Sequence, residues 1–107
     1  MGKPGKSWQE RAWRDRVRAL LREDGLMRGN ISVRQRVCGK SNCRCAQGRR
    51  HEAMVVVYRR KNRTTQLYVP KAFEARVREW VKRYGEVREL LEKLSGIYEA
   101  KVLRRRD

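Results

Sequence analysis

The sequence predicts an α+β domain: an N-terminal helix, a three-stranded antiparallel sheet with a cysteine-rich loop between its first two strands, and a long C-terminal helix. Three observations carry this. Apolar residues recur at helical spacing near both ends of the chain. Between them lie one alternating run and two β-branched runs. The three cysteines and the single histidine fall in one polar, glycine-containing stretch between the first two of those runs. At 107 residues the chain has the length of one domain.

Residues 1–6 read as a flexible basic tail ahead of the first helix. Ser7 and Glu10 have the spacing of a capping box, which starts the helix at about Trp8 and carries it to Asp24, with Gly25 as its stop. At about 100° per residue, Trp13, Val17, Leu20 and Leu21 share one side. Arg11, Arg14, Arg18 and Arg22 share the other, either as a solvated face or as a surface for phosphate. From Asn30 to Val37, Ile31, Val33 and Val37 alternate with Ser32, Arg34 and Arg36, the pattern of a half-buried strand with a basic outer face. Met54–Tyr58 and Thr64–Val69 are the next strands, and the five residues between them suit a hairpin.

Pro70 ends the last strand, since it lacks a ladder donor, and suits a helix start. Beyond it Phe73, Val77, Trp80, Tyr84, Val87, Leu91, Leu94 and Tyr98 recur in steps of four and three, a heptad seam widened by Val81, Leu90 and Ile97. A helix over 71–94 would be about 36 Å long, with Gly85 weakening its middle and Ser95-Gly96 ending or bending it. The early seam can cover the sheet. The later seam needs the first helix or a second protein surface. One domain over 7–96 is therefore expected, followed by a basic extension over 97–107 that includes Arg104, Arg105 and Arg106.

The net charge is +17, from 29 Lys and Arg against 12 Asp and Glu. So large an excess opposes compaction and draws a protein to polyanions, nucleic acid first among them. No stretch approaches the roughly 20 apolar residues that span a bilayer. Met1–Lys6 is not followed by the apolar core of a signal peptide, and Lys6 stands where a myristoylation signal has Ser or Thr. An intracellular, cytoplasmic protein is expected.

Cys38, Cys43, Cys45 and His51 form a C-x4-C-x-C-x5-H constellation. Crowded thiols in a reducing compartment point to metal rather than to disulfides. Three thiolates and an imidazole make a tetrahedral zinc set, and Gly39 and Gly48 let the backbone turn. Should His51 not bind, Glu52 or a water could complete the set. Four protein ligands leave no open position for catalysis, and no spare histidine or paired carboxylate offers a general base. A structural Zn(2+) in a protein that is not an enzyme is therefore expected.

The run Val37-Cys38-Gly39-Lys40-Ser41-Asn42-Cys43-Arg44-Cys45, the later His51, and Thr64-Thr65-Gln66-Leu67-Tyr68-Val69-Pro70 resemble a family of small bacterial and archaeal proteins of unassigned function. Its members share the order strand, CGK-x-x-C-x-C loop, hairpin, YVP and long helix, here over about residues 29–96. The resemblance implies metal ligands at Cys38, Cys43, Cys45 and His51 and brings no activity. Members often carry Gly-Pro and aromatics after the histidine, where this chain has Glu52, Ala53 and Met54.

Between Asp24 and Glu74 the one acidic residue is Glu52. Candidate nucleic-acid contacts in that interval are Arg34, Arg36, Lys40, Arg44, Arg49, Arg50, Arg59, Arg60, Lys61 and Arg63. Arginine outnumbers lysine among them, and its planar fork suits phosphate and guanine edges. Tyr58 and Tyr68 could stack on bases, although packing is the commoner use of a sheet tyrosine. The expected function is a non-catalytic zinc module binding RNA or DNA within a larger nucleoprotein complex. The competing expectation is a protein–protein adaptor or dimerising subunit acting through the seam from Phe73 to Leu94.

Overall fold

The structure, a computed structural model, describes residues 4–36 and 51–104, the side chains of residues 4–7, Arg36 and His51 excepted. The elements are α1 (Pro4–Leu21), β1 (Asn30–Arg36), β2 (His51–Arg60), β3 (Arg63–Val69), a 3-10 turn (Lys71–Phe73) and α2 (Glu74–Arg104). The helix–sheet–helix order and the α+β class are as expected. The chain divides into two compact units, one of Met27–Val81 and one of Met1–Leu26 with Lys82–Asp107.

In the first unit the sheet has the order β1-β2-β3, antiparallel throughout. Asn30 pairs with Val57 and Arg36 with His51; Met54 pairs with Val69 and Arg60 with Arg63. β2 is longer than the expected 54–58 because it pairs with β1 from His51 to Val57 and with β3 from Met54 to Arg60. Successive strand residues point to opposite faces. Met54, Val56 and Val69 turn to one face and are buried there with Val77 of α2, and Met27, Ile31, Tyr58, Trp80 and Val81 pack around them. Val33, expected to be buried beside Ile31, is exposed on the edge strand. The Met27 amide donates to the Trp80 carbonyl at 3.1 Å, which ties the start of β1 to α2.

Gly29 sets the entrance to β1 at φ +127°. A Cβ there would lie 2.7 Å from Val56 Cγ1 and 2.9 Å from the Val57 carbonyl oxygen, so only glycine fits. At the other end of the sheet, Lys61 (φ 51°) and Asn62 (φ 65°) form a two-residue turn with both central residues left-handed. That twist matches the flanking strands.

In the second unit Leu20, Val87 and Leu90 form a buried cluster with Trp13 and Val17 against it. α1 opens at Pro4, whose fixed φ suits a first helical turn. Residues 4–6 are thus helical rather than a tail, and Ser7 lies inside the helix rather than at its cap. α1 closes at Leu21, where the Arg22 and Glu23 amides bond back to the Ala19 and Leu20 carbonyls at 3.2 Å. Past the end of the helix, Arg83 holds the segment that includes Gly25. Its side chain is only 12% exposed; Nη1 donates to the Gly25 carbonyl at 2.7 Å and to Asp24 Oδ1 at 3.1 Å.

α2 runs through Ser95-Gly96 to Arg104 and so takes in residues 97–104, expected as an extension. A mid-helix glycine costs about 1 kcal/mol relative to alanine. Here Leu94 is buried, Tyr98 donates to Glu10 Oε2 at 2.9 Å, and Lys101 donates to Glu10 Oε1 at 3.3 Å, so the turn is held from both sides. These two donors, Tyr98 first, hold the Glu10 carboxyl below the usual carboxylate range. Arg16 Nε donates to Glu86 Oε2 at 2.8 Å and lowers that carboxyl likewise. No described helix is long and apolar enough to cross a membrane.

Candidate nucleic-acid interface

The second face of the sheet lies opposite Met54 and Val56. By register it carries Asn30, Ser32 and Arg34 from β1, Ala53, Val55, Val57 and Arg59 from β2, and Thr64, Gln66 and Tyr68 from β3. Val55 is fully buried, flanked in register by Ser32 and Tyr68. Asn30, Arg34, Arg59, Thr64, Gln66 and Tyr68 are exposed. Among the described residues this face holds no acidic side chain, because Glu52 falls on the opposite parity.

The predicted strand contacts on this face are Arg34 and Arg59, one at each end; Arg60 and Arg63 have the parity of the opposite face. Arg34 is opposite Ala53, near the start of β2. Arg59, Arg60, Lys61 and Arg63 crowd the hairpin end, all exposed, with Arg59 Nη2 donating to the Asn62 carbonyl at 3.0 Å. Ala53 and Arg59 are six steps apart along β2, about 20 Å at 3.3 Å per residue. Arg36 is described only as backbone. Lys40, Arg44, Arg49 and Arg50 lie outside the described residues, as do Cys38, Cys43 and Cys45. His51 begins β2 directly opposite Arg36. Among the described residues no group of three His, Cys, Asp or Glu could hold a metal ion.

Every ion pair among the described residues falls in the helical unit. Arg14 meets Glu10, Arg18 meets Asp15, Arg16 meets Glu86, Lys101 meets Glu10, and Arg83 meets Glu23 and Asp24. Arg34, Arg59, Arg60, Lys61 and Arg63 have no carboxylate partner among the described residues. The α1 stripe of Arg11, Arg14, Arg18 and Arg22 is exposed as expected, but two of its four members are paired with acids of the same helix. Arg104 is exposed at the end of α2; Arg105 and Arg106 lie outside the described residues.

A family model for a domain of unknown function, DUF6788, matches residues 8–79. The chain belongs to this family. The DUF6788 match takes in α1, the sheet and the opening turns of α2. It starts earlier than the resemblance read from the sequence and stops before most of the seam. No curated protein and no solved structure matches the chain.

Two tyrosines separate where the sequence treats them alike. Tyr58 packs on the core, with the Arg28 guanidinium 4.7 Å from its ring centre. Tyr68 is on the second face and 48% exposed. Period-two parity counted from Met54 carries this distinction, given the register.

The seam also separates. Within the helical unit, α1 takes Val87 and Leu90. Tyr84, Leu91 and Tyr98, at seven-residue intervals on the adjacent flank of α2, are exposed.

Proposed function

We propose that this protein binds nucleic acid without catalysis, through the arginine-rich hairpin and second sheet face of a module stapled by a Cys3His zinc site. The observation that carries the reading is the pairing pattern. In the helical unit Arg14, Arg16, Arg18, Arg83 and Lys101 each meet an acid, while the hairpin cations Arg59, Arg60, Lys61 and Arg63 have no carboxylate partner among the described residues. A surplus kept only for solubility has no reason to avoid carboxylates on one unit and seek them on the other.

Zinc fits the donors. Cys38, Cys43, Cys45 and His51 would hold it, and the pairing of Arg36 with His51 supports a shared site because it keeps the two ends of the intervening segment together. Bound there, zinc contributes folding free energy, on the order of 10 kcal/mol in isolated small sites. Lys40 and Arg44 stand between ligands in sequence, so a bound metal would fix their direction. The larger assembly is a nucleoprotein complex of RNA or DNA.

Fluorescence anisotropy of a labelled oligonucleotide between about 50 and 200 mM salt tests the reading. Each neutralised phosphate steepens the log–log slope by about 0.9 on duplex and 0.7 on single strands. A flat response overturns it. Metal analysis of the natively purified chain tests the zinc: one equivalent per chain is expected, and none overturns that part.

A second reading rests on its own observation. Tyr84, Leu91 and Tyr98 leave an apolar heptad row exposed on α2, which fits an adaptor or a dimerising subunit. Sedimentation after nuclease treatment separates the two: a monomer refutes dimerisation, and a nuclease-resistant dimer supports it.

A further inference from the structure

We infer that the nucleic acid is a B-form DNA duplex and that the β2–β3 hairpin enters its major groove end-on, an inference that rests on the nucleic-acid reading above. β1 pairs with β2 only as far as Asn30 and Val57, whereas β2 and β3 stay paired out to Arg60 and Arg63. The sheet therefore narrows from three strands to two at this end. Tyr58 still packs on the core. Every residue after it from Arg59 to Thr64 is exposed. Tyr58 to Lys61 is three steps of chain, a projection of about 10 Å at 3.3 Å per residue. The major groove of B-DNA is about 12 Å wide and about 8.5 Å deep, and it admits a two-stranded β-ribbon. The major groove of A-form RNA is too deep and narrow for side chains to read.

The distribution of charge on the ribbon selects insertion over lying flat. Arg59 has the parity of Ala53 and Val57, while Arg60 and Arg63, paired with each other, have the parity of Met54 and Val56. Lys61 stands at the tip, in the left-handed turn. Arg59 Nη2 donates to the Asn62 carbonyl at 3.0 Å, which holds that guanidinium at the turn. A single strand, or a duplex met from outside, presents one row of phosphates and would engage one face of the ribbon. Between two rows of phosphates both faces find partners at once, and a groove is where a duplex presents two rows.

The test uses the full chain with three fluorescein-labelled probes, read by anisotropy across a salt series: a DNA duplex of about 20 base pairs, the RNA duplex of the same sequence, and one DNA strand alone. The DNA duplex should bind tighter than either other probe by about fivefold or more, the low end of one good side-chain contact to a base edge. Arg59→Gln should flatten the log–log slope on duplex DNA by about 0.9, and the double variant Arg60→Gln with Arg63→Gln by about 1.8. Thermal melts accompany both; the double variant removes a like-charge pair and should fold. A second measurement needs no variant. Guanine N7 faces the major groove, so the bound wild type should protect it from methylation by dimethyl sulfate. Salt-dependent binding can persist while the slope changes for one face only or for neither, while N7 stays as reactive as in free DNA, or while another probe binds as tightly. Any of these refutes groove insertion and leaves the broader reading standing. If the wild type shows no salt-dependent binding to any probe, the broader reading fails and insertion falls with it.

Discussion

Gly29→Ala should destabilise the sheet unit severely, and its size can be worked from the backbone. A residue with a Cβ at φ +127° carries about 1–3 kcal/mol of strain. The new methyl also meets Val56 Cγ1 at 2.7 Å, the Val57 carbonyl at 2.9 Å and Tyr58 Cβ at 3.3 Å. Val56 is fully buried, and Val57 is locked by pairing with both Asn30 and Gln66, so neither can retreat cheaply. Overpacking of this kind adds about 1–3 kcal/mol. Alanine's lower freedom in the unfolded chain gives back about 0.4–1 kcal/mol. The net loss is about 1–6 kcal/mol, against the roughly 5–15 kcal/mol typical of a domain. Gly96→Ala is the control: nothing lies within 4 Å of its added methyl, so the helix should gain about 0.5–1 kcal/mol. Urea unfolding followed by far-ultraviolet circular dichroism reads both. A Gly29→Ala midpoint equal to wild type, or a change of the same sign in the two variants, would refute the placement of Gly29 against the sheet.

Lys61→Gly relieves about 1–2 kcal/mol of left-handed strain against a glycine entropy cost of about 0.5–1 kcal/mol, so urea unfolding should show unchanged or slightly raised stability. The same variant should flatten the salt slope of duplex binding by about 0.9, read by anisotropy. Arg83→Met leaves the part-buried Gly25 carbonyl without its donor and should cost about 1–3 kcal/mol in a thermal melt. Glu10 and Glu86 have depressed folded-state values, so their contribution is present above the ordinary glutamate range and disappears as acid titrates them, below about pH 4. Circular dichroism at stepped pH should show Glu10→Gln and Glu86→Gln losing less stability than wild type over that interval.

The order of elements was legible because each rests on a local signal: apolar periodicity in α1 and α2, alternation in β1, β-branched runs in β2 and β3. The ends were not, because they depend on partners distant in sequence. Glu10 reads as half of a capping box with Ser7, yet its carboxylate is taken by Tyr98 and Lys101. Ser95-Gly96 reads as a stop, yet burial of Leu94 carries the helix across it. The heptad seam is real as a sequence pattern, but α1 accepts Val87 and Leu90 and leaves Leu91, because two helices contact along one flank and not along every apolar position. Of the candidate interface, the identity of the cations was legible and their arrangement was not. Arg34 and Arg59 become the two ends of one face only after the β1–β2 and β2–β3 registers are known. Gly29 gave no signal, since the need for a positive φ comes from the Val56–Tyr58 segment it faces.

The hairpin end breaks two local rules at once. A left-handed two-residue turn favours Asn-Gly or Asp-Gly, and lysine occupies its first position. The pair that closes the turn sets Arg60 directly across from Arg63, where like charges repel. Neither choice helps the sheet fold, and no described carboxylate relieves either one. A turn selected for stability alone would carry glycine and an opposite-charge pair at these positions. Conflicts between local preference and fold concentrate at functional sites, so the misfit residues carry information that the well-fitted core cannot. On the proposed function, a bound polyanion would resolve both conflicts by the same means: it would neutralise Arg60 and Arg63 together and use the charge of Lys61. On this logic the stability of the hairpin should rise with added polyphosphate more than with an equal ionic strength of simple salt. A hairpin indifferent to which anion is present would remove the reason for its composition.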